Sequence, residues 1–159
     1  MATLSAMFAA EGATSVTTFI QSGNVVFDAP PKLAATIAAR IERQIEKKLA
    51  LRVPLVLRSG AEMAEAVARN PYVAAGVDDN ELHLMFLADK PAAKLVATLD
   101  ANRSPGDTFA LVGRDLYVRL PNGAARTKLT NAYFDKALAT VSTMRNWRTV
   151  LKLCELAAG

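Results

Sequence analysis

From Lys32 to Leu51 apolar residues recur at every fourth position, at Leu33, Ile37, Ile41, Ile45 and Leu49, with Arg40, Glu42, Arg43, Glu46 and Lys47 on the other side. That period predicts one amphipathic helix over the whole stretch. Upstream, the Ala-rich run from Met1 to about Glu11 predicts a first helix, with Gly12 where a helix ends most easily. Ser15 to Ile20 and Asn24 to Asp28 are β-branched and aromatic runs separated by Gln21, Ser22 and Gly23, which predicts a tight hairpin. Arg52 to Arg58 reads as a strand, placed at a sheet edge or a strand start by the missing donor of Pro54.

The second half repeats this order with one element more. A helix is predicted over Ala61 to Arg69, stopping before Pro71, and a buried strand over Glu81 to Ala88. A helix over Pro91 to Asp100 follows, then a hairpin of Asp107 to Val112 and Asp115 to Leu120 around Gly113 and Arg114. A helix over Thr127 to Leu138, a short extended stretch at Val141 to Met144 and a final helix from Asn146 to Leu156 complete the chain.

The order strand, helix, strand, strand, helix, strand is the ferredoxin-like pattern, an antiparallel sheet with helices on one face. The fold class expected is therefore α+β, with two tandem ferredoxin-like (alpha-beta plait) subdomains, residues 1–59 and 60–159, and an added C-terminal helix. The first subdomain lacks its opening strand. That strand is central in such a sheet, so its place should be filled by an earlier start of the natural chain, by a strand from another chain, or by direct pairing of its two neighbours.

Composition narrows the class. Of 159 residues, 52% are hydrophobic and 21% charged, which excludes global disorder. The lone Cys154 cannot form an internal disulfide, and with the lone His83 it cannot build a tetrahedral zinc site. A reducing, cytoplasmic setting is expected, with no membrane span and no secretory signal at Met1 to Ala10. The net charge of +4 is unevenly spread: residues 1–100 carry 10 Lys/Arg against 11 Asp/Glu, and residues 101–159 carry 9 against 4. The last third is thus the basic part, suited to anions or simply to solubility.

Three stretches carry a family resemblance: TFIQSGNVVF from Thr18 to Phe27; GRDLYVRLP from Gly113 to Pro121, continuing to Thr127, Lys128 and Leu129; and TMRNWRTVLKL from Thr143 to Leu153. In order and spacing they resemble the bacterial domain of unknown function 1697 family, over essentially the whole chain. Family members usually carry Ser where Thr127 stands and Asn where Arg148 stands. They open with a strand ending in a glycine-containing segment, and Met1 falls just after it, which agrees with the missing strand inferred from element order. The resemblance implies two ferredoxin-like halves and a C-terminal helix, and no established activity.

Several residue groups are candidates for a site. The turn around Ser22 and Asn24 offers a hydroxyl and an amide beside a glycine, a possible anion cradle, although Gly and Asn are also what a hairpin bend requires. Arg126, Lys128, Arg145, Arg148 and Lys152 could form a phosphate or nucleic-acid surface with Trp147 and Tyr117 as stacking partners. Arg145, Arg148 and Lys152 are spaced to share one helical face, and the alternative is a solvated cationic face over a core Trp147. His83, on a buried strand, gives no catalytic triad, and Cys154 reads as a small core residue. Asp78, Asp79 and Glu81 form an acidic loop without the spacing of a cation site, and there is no P-loop or dinucleotide fingerprint. No catalytic residue, cofactor or metal is expected. Two functions follow: a non-enzymatic binding protein for a phosphorylated small molecule or nucleic acid, or an interaction module that pairs through its sheet with a partner or as a homodimer.

Overall fold

The computed structural model describes residues 2–20 and 23–159. The protein is a mixed α+β chain with two antiparallel sheets, one in each of two compact units. The first unit comprises Met1–Leu57 with Glu155–Gly159, the second Arg58–Cys154. Among the described residues no helix is long and apolar enough to cross a membrane.

In the first unit, helix α1 (Ala2–Ala10) ends at Gly12, whose φ of +103° a side chain would strain, and leads into β1 (Thr14–Phe19). β1 pairs antiparallel with β2 (Asn24–Asp28), and its register shifts between Thr14 and Thr17, with Ser15 at positive φ. The helix expected over Lys32 to Leu51 is two helices, α2 (Pro31–Ala34) and α3 (Ile37–Leu49). At the break the Thr36 hydroxyl reaches the carbonyls of Lys32 and Leu33, competing with the helical ladder. Ile37, Ile41 and Ile45 pack with Met7, Phe8 and Ala13 as the core, and the Phe8 and Phe27 rings meet at 4.9 Å. Leu49 does not join them: it is exposed beside Ala50, whose left-handed conformation ends α3. Glu11 accepts hydrogen bonds from Gln44 and from Arg40 (3.2 Å), tying the end of α1 to α3.

Arg52 to Arg58 is not a strand. Pro54 has no donor, and the Leu55 N–H donates to Glu42 Oε1 of α3 at 2.6 Å rather than into a ladder. Leu55 and Leu57 instead rest half-buried on the core. Among the described residues the sheet of this unit is β1 and β2, and the segment forms no strand beside β2.

The second unit starts with α4 (Gly60–Ala68), held by a reciprocal capping box in which Ser59 and Glu62 each bond the other's backbone N–H. α5 (Pro71–Ala74) and a 3-10 turn at Asp79–Glu81 lead into β3 (Leu82–Leu87). Then come α6 (Ala93–Val96), β4 (Thr108–Val112), β5 (Asp115–Arg119), α7 (Asn131–Leu138), β6 (Ser142–Asn146) and α8 (Trp147–Ala158). The sheet order is β4-β5-β3-β6 and every pair is antiparallel. β3 is therefore central, with Leu84 facing both Tyr117 of β5 and Arg145 of β6.

Two helices are shorter than their sequence pattern. The Pro91 to Asp100 segment keeps one turn, α6, after which the Thr98 hydroxyl bonds the Leu95 carbonyl and the Asp100 N–H goes to the Tyr133 hydroxyl. The Thr127 to Leu138 helix begins at Asn131, because Thr130 is its N-cap and Thr127 Oγ1 accepts from the Leu129 N–H in a local turn. The sheet is also covered on both faces rather than one. Met85, Leu87, Leu116 and Val118 pack with Phe134 and Leu138 of α7. On the alternate face the Tyr117 hydroxyl donates to the Ala66 carbonyl of α4 at 2.5 Å, and Arg58 lies 5.4 Å from the Phe86 ring.

A four-charge cluster locks that second face. The Arg58 side chain, 5% exposed, donates to the carbonyls of Leu87 and Arg114, each at 2.9 Å, and stands 3.4 Å from Asp115 Oδ1. Arg114 donates to the Ala88 carbonyl (3.1 Å) and to Glu62 Oε1 (2.7 Å). Burial, against the pull of Arg58 and Arg114, raises the Asp115 pKa above its ordinary 3.8. Burial also opposes ionisation of Glu62, but the Ser59 N–H, Arg114 and Arg58 outweigh it and hold that carboxyl below 4.5.

Removing the buried guanidinium leaves two carbonyls and Asp115 unpaired, so Arg58→Ala should destabilise the second unit by about 3–5 kcal/mol in urea unfolding. A carboxyl titration followed by NMR should bring the two groups closer than their ordinary values, Glu62 releasing its proton below 4.5 and Asp115 above 3.8. The Glu62 contribution to stability is then present above pH 4.5 and lost as the pH falls through its folded pKa. That of Asp115 is present below pH 3.8 and lost as the pH rises through its folded pKa.

Candidate functional site

The structure disperses the basic surface expected from sequence. Arg145 lies in β6, not on a helix, and is half-buried: its Nη1 donates to Thr143 Oγ1 (2.7 Å) and to the Met144 carbonyl (2.8 Å), and burial lowers its pKa. Arg148 and Lys152 stand one turn apart on α8, so the three cations do not share one helical face. Trp147 is 2% exposed and Tyr117 fully buried, so neither ring can stack on a base. The strand ends at Asn146 because its Oδ1 caps α8 by accepting from the Thr149 N–H at 2.9 Å, and this boundary separates Arg145 from Arg148.

In the first unit Asn24 is buried, and its Nδ2 donates to the Phe19 carbonyl at 3.1 Å, closing the hairpin. Its amide serves the turn. Ser22 lies outside the described residues. His83, half-buried on β3, has its Nδ1 buried without a hydrogen-bond partner, and burial lowers its pKa. Asp78 caps the 3-10 turn and Glu81 pairs with Arg119 at 2.8 Å, so both are used locally. Among the described residues no group of three or more His, Cys, Asp or Glu side chains could hold a metal ion.

Arg126 and Lys128 behave differently. They lie in the loop before α7, next to a cavity of about 290 Å³ between the turn Ser104 to Asp107 and residues Asn122, Gly123, Arg126 and Thr127. The turn is built by sequence: Pro105 and Gly106 sit at its centre, Gly106 at φ +89°, and the Asp107 N–H returns to the Ser104 carbonyl at 3.0 Å. Ser104 and Asp107 are both more than nine-tenths buried. Ser104 Oγ donates to Asp107 Oδ2 (2.7 Å) and accepts from the Lys128 N–H (3.1 Å), so one hydroxyl joins the turn to the basic loop. Arg103 donates to the Lys128 carbonyl at 3.0 Å while its guanidinium stacks 4.0 Å from the Tyr133 ring, which fixes the loop from outside. Ser104 and Asp107 were invisible as site residues in the sequence. Their only signal is the Ser-Pro-Gly-Asp turn, about twenty residues from the arginine it faces.

A second concavity, in the first unit, is apolar and narrow, about 70 Å³. Leu4 and Phe8 of α1 and Ile37 of α3 line it, with Val25 and Phe27 of β2 and the segment 55–57 also on its walls. None of its ten lining residues carries a charge.

A family model described as a protein of unknown function (DUF1697) matches residues 1–117. No curated protein and no solved structure shows significant similarity to the chain. The match begins at the first residue and takes in the first hairpin and the chain as far as β5, and so the chain belongs to the DUF1697 family of proteins of unknown function.

Proposed function

We propose that this protein is a non-enzymatic interaction module whose first unit takes up an extended, uncharged apolar segment as an added β-strand, antiparallel to β2. The observation that carries this reading is the groove between β2 and residues 55–57. In the second unit the order β4-β5-β3-β6 places β3 between β5 and β6, which supports reading it as a ferredoxin-like plait. The first unit runs α1, β1, β2, α2, α3 and then the segment 52–58, an order that resembles such a plait from its first helix onward. In that arrangement the fourth strand has one neighbour, the first. On this reading the groove that Leu55, Val56 and Leu57 share with Val25 and Phe27 of β2 is the place where a central strand would lie.

The groove's chemistry specifies its occupant. Leu4, Phe8, Val25, Phe27 and Ile37 offer apolar contacts and no ion partner, and the backbone of β2 offers main-chain hydrogen bonds, the combination that binds a strand by edge addition. β3 shows what such a strand looks like, six residues reading LHLMFL, five of them buried.

Amide exchange on the whole protein tests the reading. A soluble peptide with a central alternation of valine and threonine should slow exchange at alternate residues of Val25 to Phe27 by about tenfold or more, equally in low and high salt. Unchanged exchange at saturating peptide, or protection that disappears in high salt, would overturn it.

A further inference from the structure

We propose that the polar cavity of the second unit is a binding site for a small hydroxylated phosphate, its phosphate held by Arg126 and a neighbouring hydroxyl donating to Asp107. This site is independent of the strand-accepting groove. Arg126 is exposed at the cavity and has no hydrogen-bond or ion-pair partner among the described residues, so its guanidinium is available for a bidentate contact. Asp107 supplies the complementary half. It is 8% exposed, its Oδ2 is taken by the Ser104 hydroxyl, and its Oδ1 makes no hydrogen bond among the described residues.

A carboxylate at the wall repels a bare anion and favours a ligand that brings its own donor, which Oδ1 can accept at the cavity surface. Ser104 cannot supply that donor: its one hydroxyl proton is committed to Oδ2 while its oxygen accepts from the Lys128 N–H. Gly123, which also lines the cavity, stands at φ +84° with open space where a Cβ would project. At about 290 Å³ the cavity lies at the lower end of small-molecule sites, suited to a few carbons and a phosphate. A nucleic-acid strand would need a row of cations and stacking rings, and here one arginine stands at a closed turn.

Glycerol 3-phosphate, inorganic phosphate and glycerol, titrated separately into the full chain by calorimetry and NMR, test the assignment. Glycerol 3-phosphate should bind at least tenfold more tightly than inorganic phosphate, shifting the amides of Asp107, Gly123 and Thr127. Arg126→Gln, an exposed substitution, should weaken it by about tenfold or more at unchanged melting temperature. Asp107→Asn should shrink the preference over inorganic phosphate, and if that variant unfolds, the wild-type preference still decides the point. Binding lost equally in Arg148→Gln, equal affinity for both phosphates, or shifts confined to other residues would overturn the proposal.

Discussion

A strand inside a sheet must satisfy its backbone on both edges, and in the second unit β3 does this for everything around it. It meets β5 along one edge and β6 along the other, from His83 opposite Asn146 to Leu87 opposite Ser142. Because Leu82 and Leu84 to Leu87 are all buried, both faces of this strand need cover, which brings α7 to one side and α4 with the Arg58 cluster to the other. β6 exists as a strand because β3 is there to pair with it, and the point where that ladder stops, at Asn146, is also the cap of α8. One buried strand thus determines two layers of helix and the start of the last one.

Elements whose cause is periodic were legible in the sequence. The isoleucines of α3 at every fourth place, the apolar run Leu84 to Leu87 of β3 and the paired strands of both hairpins each lie where the pattern places them. The elements that shifted have a different cause. Thr36, Thr98 and Thr130 each place a hydroxyl on a nearby backbone group, which breaks or delays a helix without disturbing the hydrophobic pattern. The strand read at Arg52 to Arg58 has good β-forming residues, but a ladder needs a neighbour, and no local property of Leu55 or Val56 reports whether one exists.

The sites follow the same division. Grouping Arg145, Arg148 and Lys152 by helical spacing assumed one helix, and the Asn146 cap places the first of them in a strand. Arg126 and Lys128 lie beside a cavity that depends on Ser104 and Asp107, far away in sequence and brought near by the path of β4 and β5. The Arg58, Arg114, Asp115 and Glu62 cluster has no sequence signature either, since its geometry comes from the α4 capping box meeting the β4–β5 turn.

The two units therefore differ in how their stability is supplied. The second unit closes its four-stranded sheet internally, so a ligand at its polar cavity adds contacts without completing the fold. The first unit has two strands, too few to be stable alone in water, and relies on α1 and α3 against one side of the hairpin. A segment entering its groove would bind the closed form and not the opened one, so its binding free energy would add directly to the stability of that unit. Under the proposed strand addition, occupancy of the groove and protection of β2 would then report one equilibrium from two sides.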